Sequence, residues 1–306
     1  MKKIAMVTGG AGFLGSYVVE KISENYEVFV PRSKNFDLRK KDEVEKLFDI
    51  IRPNIIIHLA AKVGGIGANK KNPGKFFYDN IMMGINLIEA SREYEVDKFV
   101  NVGTVCSYPK NCEVPFNEND LWNGYPEETN AAYGIAKKSI ITMLEAYRDQ
   151  YGLKSAVLLP VNLYGPRDNF NESSSHVIPA LIKRLYAARI NGEINAKCWG
   201  DGSASREFLY VKDAAEAICL AVESDVVDPV PINLAGSGEI NMKRLVQIIG
   251  EHVGYSGNIE WDTSMPNGQP RRCLENSRAK EMLGWEATTN FIIGIRETIK
   301  WYIQNR

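Results

Sequence analysis

The sequence lacks several features, and each absence argues against a class of protein. Its five cysteines contain no CxxC pair and its three histidines show no metal-ligand spacing, so we expect no metal site. The formal net charge of −1 argues against binding nucleic acid through bulk charge, but it leaves open a local basic patch. No apolar run approaches the roughly 18 residues that a membrane-spanning helix needs. Repeats and low-complexity linkers are also missing.

The amino terminus lacks a secretory signal. Its opening MKK is followed only by the short apolar run IAMV, which leads straight into glycines and therefore predicts a first strand. An odd number of cysteines without such a signal is typical of a protein in a reducing compartment. We therefore expect a cytoplasmic protein whose thiols are mostly small core residues.

The length and composition allow two domains. A chain of 306 residues with 44% apolar content can bury a large core. Strand and helix patterns alternate along the first half, which predicts an α/β fold with a Rossmann-type, doubly wound parallel sheet. A smaller mixed α/β domain should follow at the C-terminal end. The predicted division is 1–165, with a returning segment near 207–230, and 166–306.

Apolar runs and helical periodicity predict the element bounds. Strands are predicted over 3–7, 27–30, 54–59, 98–102 and 155–160, and in INLAG near the carboxyl end. Helices are predicted over 42–52, 76–94 and 211–223, the last returning to the first domain. Gly64, Gly65 and Gly67 predict a mobile loop over the sheet edge.

A glycine-rich segment follows the first predicted strand. Gly9, Gly12 and Gly15 are spaced three apart in TGGAGFLGS, directly before a helical pattern. Glycines there let the backbone approach a pyrophosphate, which then lies at the positive end of the helix. The strand-loop-helix context predicts dinucleotide binding, whereas the glycines alone would fit any tight turn.

The second predicted strand ends without the acidic residue that binds a ribose 2′-hydroxyl. Arg32, Ser33 and Lys34 stand there instead. Basic and hydroxyl groups suit a 2′-phosphate, so the sequence favours NADP over NAD. The alternative is that these three residues form only a solvated basic turn.

The strand over 98–102 should end where Thr104 and Cys106 lie at the carboxyl edge of the sheet, the usual place for a site in an open α/β fold. Tyr133 and Lys137 stand four apart in an alanine-rich segment, so on a helix their side chains share one face. An ammonium group beside a phenol lowers the pKa of the phenol, which suits a proton donor.

The spacing of this pair is not specific by itself. Tyr94 and Lys98 repeat it, and they are interpreted as a solvated helix end that runs into a strand. What favours Tyr133 and Lys137 is their place after a strand that ends in Gly-Thr, downstream of the glycine-rich amino terminus.

Several motifs together resemble the extended short-chain dehydrogenase/reductase family: TGGAGFLG, HLAA, the strand end with Thr104, the Tyr133-x-x-x-Lys137 pair and LYGPRDNF. Within it the chain is similar to the GDP-L-fucose synthases, in AAKVGGIGAN, CSYPK, LWNGYPEETNAAYGIAKK, PVNLYGPRDNF, SSHVIPALI and SREFLYVKDAA. The resemblance covers nearly the whole chain. It implies an NADPH-dependent enzyme that epimerises GDP-4-keto-6-deoxy-D-mannose at C3 and C5 and then reduces C4.

The resemblance also assigns catalytic roles. Tyr133 would donate a proton to the C4 oxygen, Lys137 would hold the nicotinamide ribose and lower the tyrosine pKa, and Thr104 would hydrogen-bond the carbonyl. Cys106 and His176 match the acid and base of the epimerisation; a thiol and an imidazole both titrate within reach of neutral pH. Without the resemblance, Cys106 would be interpreted as a core thiol and His176 as a capping residue at a helix start.

The cofactor contacts implied by the resemblance fall on the glycine loop, on the turn after the second strand and on the ends of later strands. They are Gly9, Gly10, Ala11, Gly12, Phe13, Leu14, Gly15, Arg32, Ser33, Lys34, Asp37, Leu38, Leu59, Ala60, Ala61, Val102, Gly103, Tyr133, Lys137, Pro160, Asn162, Leu163 and His176. The implied cofactor is NADP(H), bound by the domain over 1–165.

A GDP-sugar carries two phosphates and a guanine, so its domain should supply cations and a flat apolar surface. The implied contacts are Asn162, Arg184, Trp199, Arg206, Asn267 and Arg272, because guanidinium groups suit phosphate and an indole suits stacking. The alternative is a set of exposed residues on a solvated face.

Three features depart from the family's pattern. Thr104 stands where serine is usual, Asn267 stands where aspartate is usual, and TGGAGFLGS lacks the histidine common in bacterial members. These departures leave open a related GDP-4-keto sugar, such as a heptose, and the loss of either the epimerase or the reductase half.

Two further interpretations concern assembly and class. The helix over 76–94 and the helix bearing Tyr133 would form a homodimer through a four-helix bundle, or their apolar faces would belong to an ordinary core. A nucleotide-binding regulatory protein would use the same fold to sense NADP without turning it over. Intact Tyr133 and Lys137 argue against that class.

Overall fold

The computed structural model describes residues 2–171, 174–265 and 268–306. The strands are β1 (Ile4–Thr8), β2 (Glu27–Phe29), β3 (Ile55–His58), β4 (Lys98–Val102), β5 (Ser155–Pro160), β6 (Asn162–Tyr164), β7 (Asn195–Trp199), β8 (Ser205–Tyr210), β9 (Pro231–Leu234), β10 (Glu239–Asn241) and β11 (Asn258–Asp262). The helices are α1 (Phe13–Ile22), α2 (Lys41–Ile51), α3 (Ile66–Lys71), α4 (Pro73–Glu93), α5 (Ala131–Tyr151), α6 (Val177–Ile190), α7 (Val211–Glu223), α8 (Met242–Val253), α9 (Ser277–Leu283) and α10 (Phe291–Asn305). Within these ranges no helix is both long enough and apolar enough to cross a membrane.

A parallel sheet in the order β2-β1-β3-β4-β5-β9 forms the centre of the larger unit. β3, β4 and β5 are buried along their whole length, as expected for strands that helices cover on both faces. α1 packs against α7, and α4 packs against α2 and α5. The continuous apolar runs of the sequence therefore form the buried parallel strands.

The strand order reverses at β1. From β1 the chain first adds β2 on one side and then β3 on the other. In an open parallel sheet this reversal leaves a crevice outside the carboxyl ends of the strands, and ligands bind there. The segments that follow β1, β3 and β4 therefore meet at one edge.

A second buried cluster lies in the carboxyl-terminal part. β6, β8 and β10 form one small sheet and β7 pairs with β11. α6, α8 and α10 contribute apolar side chains to this cluster, including Ile182, Leu185 and Ile249. β8 leads directly into α7, so the chain returns to the large sheet through α7 and then β9, which lies just beyond the returning segment predicted near 207–230.

The predicted element bounds agree closely with the structure. β4, β5 and α7 begin and end at the predicted residues, and the other predicted elements differ by one to three residues at an end. Element ends depend on caps and fraying, which apolar patterns do not report.

The interpretation of Lys98 as part of a solvated helix end is wrong. Its side chain is buried, and Nζ donates to Ser224 O at 2.7 Å, just beyond the end of α7. Burial lowers the pKa of Lys98 to about 8. The local pattern placed this residue at a helix-strand junction but did not report that a distant helix end packs over it.

The glycine-rich segment after β3 was predicted to be a loop, but part of it is helical. α3 begins at Ile66, and the buried Asn69 side chain donates to Gly64 O at 2.7 Å and to Gly65 O at 3.2 Å. Gly65 O also accepts from Asn69 N at 3.1 Å, so the side chain and the backbone of Asn69 together hold the entry to the helix.

Candidate active site

One cleft crosses the carboxyl edge of the parallel sheet, with a cavity volume of about 1230 Å³. The predicted site residues that line it are Gly9, Ala11, Gly12, Phe13, Leu14, Gly15, Arg32, Ser33, Asp37, Leu38, Leu59, Ala60, Ala61, Val102, Gly103, Thr104, Cys106, Tyr133, Lys137, Pro160, Asn162, Leu163, His176, Arg184, Trp199, Arg206 and Arg272. Gly10 and Lys34 belong to lining segments but do not themselves line the cleft. Asn267 lies outside the described residues. Residues predicted from separate motifs thus share one cavity.

The glycine loop forms one end of the cleft. Gly9 has a φ of +72°, a conformation that favours glycine, and α1 begins at Phe13 with extended Gly12 before it. A Cβ at Gly15 would lie 2.1 Å from Gly9 O, so the close approach of α1 to the loop requires glycine. The helix start offers unpaired N–H groups and a positive dipole end to a pyrophosphate.

The turn after β2 presents basic and hydroxyl groups to the same end of the cleft. Arg32 and Ser33 line the cavity, and all three residues of the predicted turn, Lys34 included, are exposed. This arrangement fits a 2′-phosphate, because a guanidinium group and a hydroxyl can both donate to phosphate oxygens.

Sequence reasoning missed Arg39, which also lines this end of the cleft. Its Nε and Nη2 donate to the Asp37 carboxylate at 2.8 and 2.7 Å, and its Nη1 donates to the buried Asp79 at 2.9 Å. The hydrogen bonds from Arg39 lower the pKa of Asp37 to about 2. The Asp37 carboxylate is therefore occupied by hydrogen bonds from Arg39. The spacing of the two residues in the sequence DLR could have suggested this pair.

The floor of the cleft is formed where α5 packs on the 3-10 turn Val105–Ser107. α5 carries Tyr133 and Lys137, which are 7% and 3% exposed. A Cβ at Gly134 would lie 2.3 Å from Cys106 O, and Ser107 Oγ donates to Gly134 O at 3.1 Å. The absence of a side chain at Gly134 thus allows the helix to approach the turn.

The electrostatics of the Tyr133 and Lys137 pair differ from the prediction. Burial raises the pKa of Tyr133 above 10 and the neighbouring Cys106 adds to this effect, whereas a hydrogen bond with Thr104 opposes it. Burial lowers the pKa of Lys137 to about 8. The predicted lowering of the Tyr133 pKa is wrong for this chain, because desolvation of the phenol outweighs the hydrogen bond with Thr104.

Cys106 lies beside these residues on the 3-10 turn. The Thr104 hydroxyl accepts a hydrogen bond from Cys106 N at 3.2 Å and so caps the turn. Arg272 Nη1 donates to Cys106 Sγ at 3.8 Å. The structure therefore brings Thr104, Cys106 and Tyr133 together at the end of β4.

His176 enters the cleft from the other wall, as the residue before α6. Its side chain makes no capping hydrogen bond to α6, which is described throughout. His176 is exposed on the cleft wall, and partial desolvation there lowers its pKa from the ordinary value. An imidazole of this kind is neutral at pH 7 and able to accept a proton.

Three predicted substrate contacts lie on the elements that roof the cleft. Arg184 on α6 donates to Lys197 O at 2.7 Å, and Trp199 ends β7 with 57% of its surface exposed. Burial, and then the nearby charge of Arg272, lower the pKa of Arg206 to about 10. Below the roof, Asn162 donates from Nδ2 to Glu207 O at 3.0 Å.

Asp168 is a second cleft residue that sequence reasoning missed. It is 6% exposed, and Asn169 N donates to its Oδ1 at 2.6 Å. Burial raises its pKa to about 7. Asp168 belongs to the LYGPRDNF motif that follows β5 at the sheet edge, and this position could have suggested it. Among the described residues no cluster of His, Cys, Asp and Glu could hold a metal ion.

Comparison with known proteins gives a consistent result. Residues 5–235 match the model of the NAD dependent epimerase/dehydratase family. The chain is 38% identical over 300 residues to a GDP-L-fucose synthase of Sinorhizobium fredii, covering 98% of this chain and 95% of that protein. It is 35% identical over 315 residues to the GDP-L-fucose synthase of Escherichia coli, covering 100% of this chain and 98% of that protein.

Solved structures give the same fold. A GDP-L-fucose synthetase from Naegleria fowleri bound to NADP has a TM-score of 0.90 at 30% identity, covering 99% of this chain and 93% of that chain. A GDP-6-OMe-4-keto-L-xylo-heptose reductase from C. jejuni has a TM-score of 0.93 at 25% identity, covering 100% and 99%. The predicted Rossmann-type fold is confirmed.

Proposed function

The chain belongs to the NAD dependent epimerase/dehydratase family, and from that premise we propose that it converts GDP-4-keto-6-deoxy-D-mannose to GDP-L-fucose with NADPH. It is an enzyme that epimerises C3 and C5 and reduces C4. Relatives named GDP-L-fucose synthase support this activity at 31–38% identity over nearly the whole chain. The observation that carries the proposal is the meeting of Thr104, Cys106 and Tyr133 in the cleft that the glycine loop also lines.

The cofactor is NADP(H), which supplies a hydride to C4 when bound. The residues fit this group: the start of α1 offers N–H groups to the pyrophosphate, and Arg32 and Ser33 suit the 2′-phosphate. Ala60 and Ala61 line the cleft with small side chains that leave room beside the backbone. Lys137 is proposed to hold the nicotinamide ribose.

Three residues are proposed to serve the reduction. Tyr133 donates its proton to the C4 oxygen, and Thr104 donates a hydrogen bond to the same oxygen. Because the pKa of Tyr133 is raised, the phenol keeps its proton at neutral pH until the C4 oxygen gains negative charge. Lys137, with a pKa of about 8, is mostly charged at pH 7 and opposes that negative charge.

Cys106 and His176 are proposed as the acid-base pair of the epimerisation. The 4-keto group acidifies the protons on C3 and C5, so one side chain can remove a proton while the other delivers one to the opposite face. The charge formed in between lies on the C4 oxygen, where Thr104 and Tyr133 donate. Cys106 lies on the turn after β4 and His176 lies directly before α6. The two side chains thus come from different walls of the cleft, which supports proton transfer at opposite faces of the sugar.

The GDP part of the substrate is proposed to bind beneath the roof of the cleft. Arg184 and Arg206 would pair with the diphosphate, and the exposed indole of Trp199 would stack on the guanine. Asn162 would position the sugar, with Asn267 proposed from the family resemblance alone. In this arrangement residues 1–165, with the returning segment near 207–230, mainly bind NADP, and the rest of residues 166–306 mainly binds the GDP-sugar.

Location and assembly are also proposals. Five free cysteines are typical of a reducing compartment and support a cytoplasmic location. Partly exposed apolar residues along α4 and α5, such as Met82, Ile85 and Ile135, support a homodimer through a four-helix bundle. The dimer would bury surface that the single chain leaves in water.

Product analysis tests the activity. The protein is incubated with GDP-4-keto-6-deoxy-D-mannose and NADPH, and NMR should identify GDP-L-fucose. In D₂O without NADPH, deuterium should enter at C3 and C5. The variant Cys106→Ser should lose this exchange by about 100-fold or more, because its hydroxyl is a far weaker acid, yet it should still reduce an already epimerised intermediate. Wild-type protein that produces no GDP-L-fucose would contradict the proposal.

A second candidate is a reductase of a related GDP-4-keto sugar. The likeness to the heptose reductase from C. jejuni favours it, and so does Thr104, whose extra methyl group lies where the family has serine. Reduction of a GDP-4-keto-heptose without deuterium exchange would select this alternative. The regulatory alternative is excluded by the confirmed enzyme family.

A further inference from the structure

A guanidinium group lies against the sulfur of the proposed acid-base pair. Arg272 Nη1 donates to Cys106 Sγ at 3.8 Å, across 166 residues of sequence. The contact is part of the cleft wall, since both residues line the cavity. A cation is therefore in direct contact with the one group of the pair that becomes negatively charged when it gives up a proton.

Two further donors of Arg272 are used within the protein. Nε and Nη2 donate to Gln269 Oε1 at 3.1 and 2.6 Å, and Gln269 Nε2 donates to Lys110 O at 2.9 Å. Nε and Nη2 form one of the two edges with which a guanidinium group binds a phosphate in the bidentate manner. The family resemblance assigns Arg272 to the diphosphate, whereas the geometry directs its free edge to Cys106.

Backbone hydrogen bonds hold the segment that carries Arg272. Glu207 N donates to Arg272 O at 3.1 Å, and Leu274 N donates to the buried Glu207 carboxylate at 2.9 Å. On the other side, Phe116 N donates to Cys273 O at 2.8 Å. Arg272 is thus fixed between β8 and the segment at Phe116, which suits a side chain that must hold a defined direction.

We propose that Arg272 is a positioning residue for Cys106 in the epimerisation. The inference rests on the proposed function, in which Cys106 exchanges protons with the sugar. When Cys106 delivers its proton, the S–H bond breaks, a C–H bond forms at the substrate, and the electron pair left on sulfur faces the guanidinium group. When Cys106 takes up a proton, the same steps run in reverse. Arg272 keeps its own protons throughout and directs the sulfur toward the sugar ring.

The variant Arg272→Met tests this role, because it removes the hydrogen bond and keeps an unbranched side chain. Two reactions are measured separately: deuterium exchange at C3 and C5 of GDP-4-keto-6-deoxy-D-mannose without NADPH, and NADPH-dependent reduction of the epimerised intermediate. The kcat for exchange should fall about tenfold to 100-fold, the effect of losing one hydrogen bond to a charged group. The kcat for reduction, which does not use Cys106, should change little.

Arg184→Met is the matched control, since Arg184 is also a cation in the cleft but its Nη1 donates to Lys197 O. If Arg184 binds the diphosphate, its variant should raise KM for exchange and for reduction alike. Arg272→Met behaving in this same way would overturn the proposal. Gln269→Leu is a milder second variant, which keeps the Arg272 charge but removes its anchor. It should lower exchange alone, and to a smaller extent.

The outcomes separate this inference from the function on which it rests. Wild-type protein that shows no exchange would reject the epimerase half of the proposed function. Normal wild-type exchange, together with unchanged exchange in a folded Arg272→Met protein, would reject only the role of Arg272. The rate of Cys106 alkylation by iodoacetamide gives a readout that needs no substrate, and it should fall in Arg272→Met but not in Arg184→Met.

Discussion

At the residue scale, the burial of Lys137 in the cleft costs the fold stability. The residue is 3% exposed, and burial lowers its pKa to about 8 because the ammonium group loses its hydration. The burial of His58 itself, and then the charge of Lys137, lower the pKa of His58 well below 6.5. His58 is a buried, hydrogen-bonded core residue, with Nδ1 2.9 Å from Thr8 Oγ1. We propose that this buried cation, Lys137, is kept for its role in catalysis.

Lys137→Met should therefore stabilise the protein while it abolishes reduction. The gain in the free energy of unfolding at pH 7 should be up to about 3 kcal/mol, from the shift between 10.5 and about 8. The folded pKa lies below the unfolded one, so the unfolded state binds more protons between these values and the wild type gains stability as the pH rises from 8 to 10.5. The advantage of the variant should be largest below pH 8 and shrink above it, as urea denaturation at several pH values would show.

Lys98→Met provides the control for that experiment. Burial also lowers the pKa of Lys98 to about 8, but its Nζ donates to Ser224 O at 2.7 Å. The methionine would leave that carbonyl without its partner, so no comparable gain is expected. Equal effects of the two substitutions on the free energy of unfolding would contradict the argument.

At the scale of elements, the site depends on how closely α5 approaches the 3-10 turn after β4. Tyr133 lies on the helix, and Thr104 and Cys106 lie on the turn, so their distance is set by the packing of two segments. Gly134 allows that packing, because its missing side chain leaves space for Cys106 O. The glycine acts through the approach of the backbone and contributes no chemistry of its own.

Gly134→Ala should therefore lower both half-reactions by about tenfold or more, because the new methyl group would lie 2.3 Å from Cys106 O and must push α5 from the turn. The protein should also lose about 1–3 kcal/mol of stability from overpacking. Activity assays and thermal unfolding measure the two effects.

Gly74→Ala is the matched control, the same substitution in α4 with no atom within 4 Å of the new Cβ. It should leave activity unchanged and add up to about 1 kcal/mol of stability from helix propensity. Activity and stability of Gly134→Ala that match those of Gly74→Ala would show that the approach of α5 to the turn is not critical.

At the scale of the whole molecule, α4 and α5 pack against each other and leave partly exposed apolar residues along the pair. Tyr133 and Lys137 lie on α5, so a dimer formed through this surface would stiffen the helix that carries them. Assembly and catalysis would then share one element.

Met82→Glu combined with Ala146→Glu should weaken the proposed dimer, because four carboxylates would lie in the apolar contact between two copies. Sedimentation equilibrium should show a dimer for the wild type and a monomer for the variant. Ile194→Glu is the control. Ile194 is 75% exposed and lies in the carboxyl-terminal part, away from α4 and α5, so this variant should stay dimeric. A monomeric wild type would reject the interface.

The sequence alone predicted what depends on short stretches of chain. Continuous apolar runs gave β4 and β5 their bounds, and glycine spacing identified the loop before α1, since both patterns act within one strand-loop-helix unit. The Tyr133 and Lys137 pair followed from the helical repeat. The family resemblance then added Cys106 and His176, which no local pattern would have joined.

Only the tertiary structure decided what depends on distant segments. It buried Lys98 under the end of α7, turned Arg39 toward Asp79, and placed Arg272 on Cys106. It also raised the pKa of Tyr133 where the spacing alone predicted a lower one. The physical reason is that periodicity and backbone preference are set by neighbours in sequence, whereas burial, desolvation and contacts between side chains are set by whichever remote elements pack around a residue.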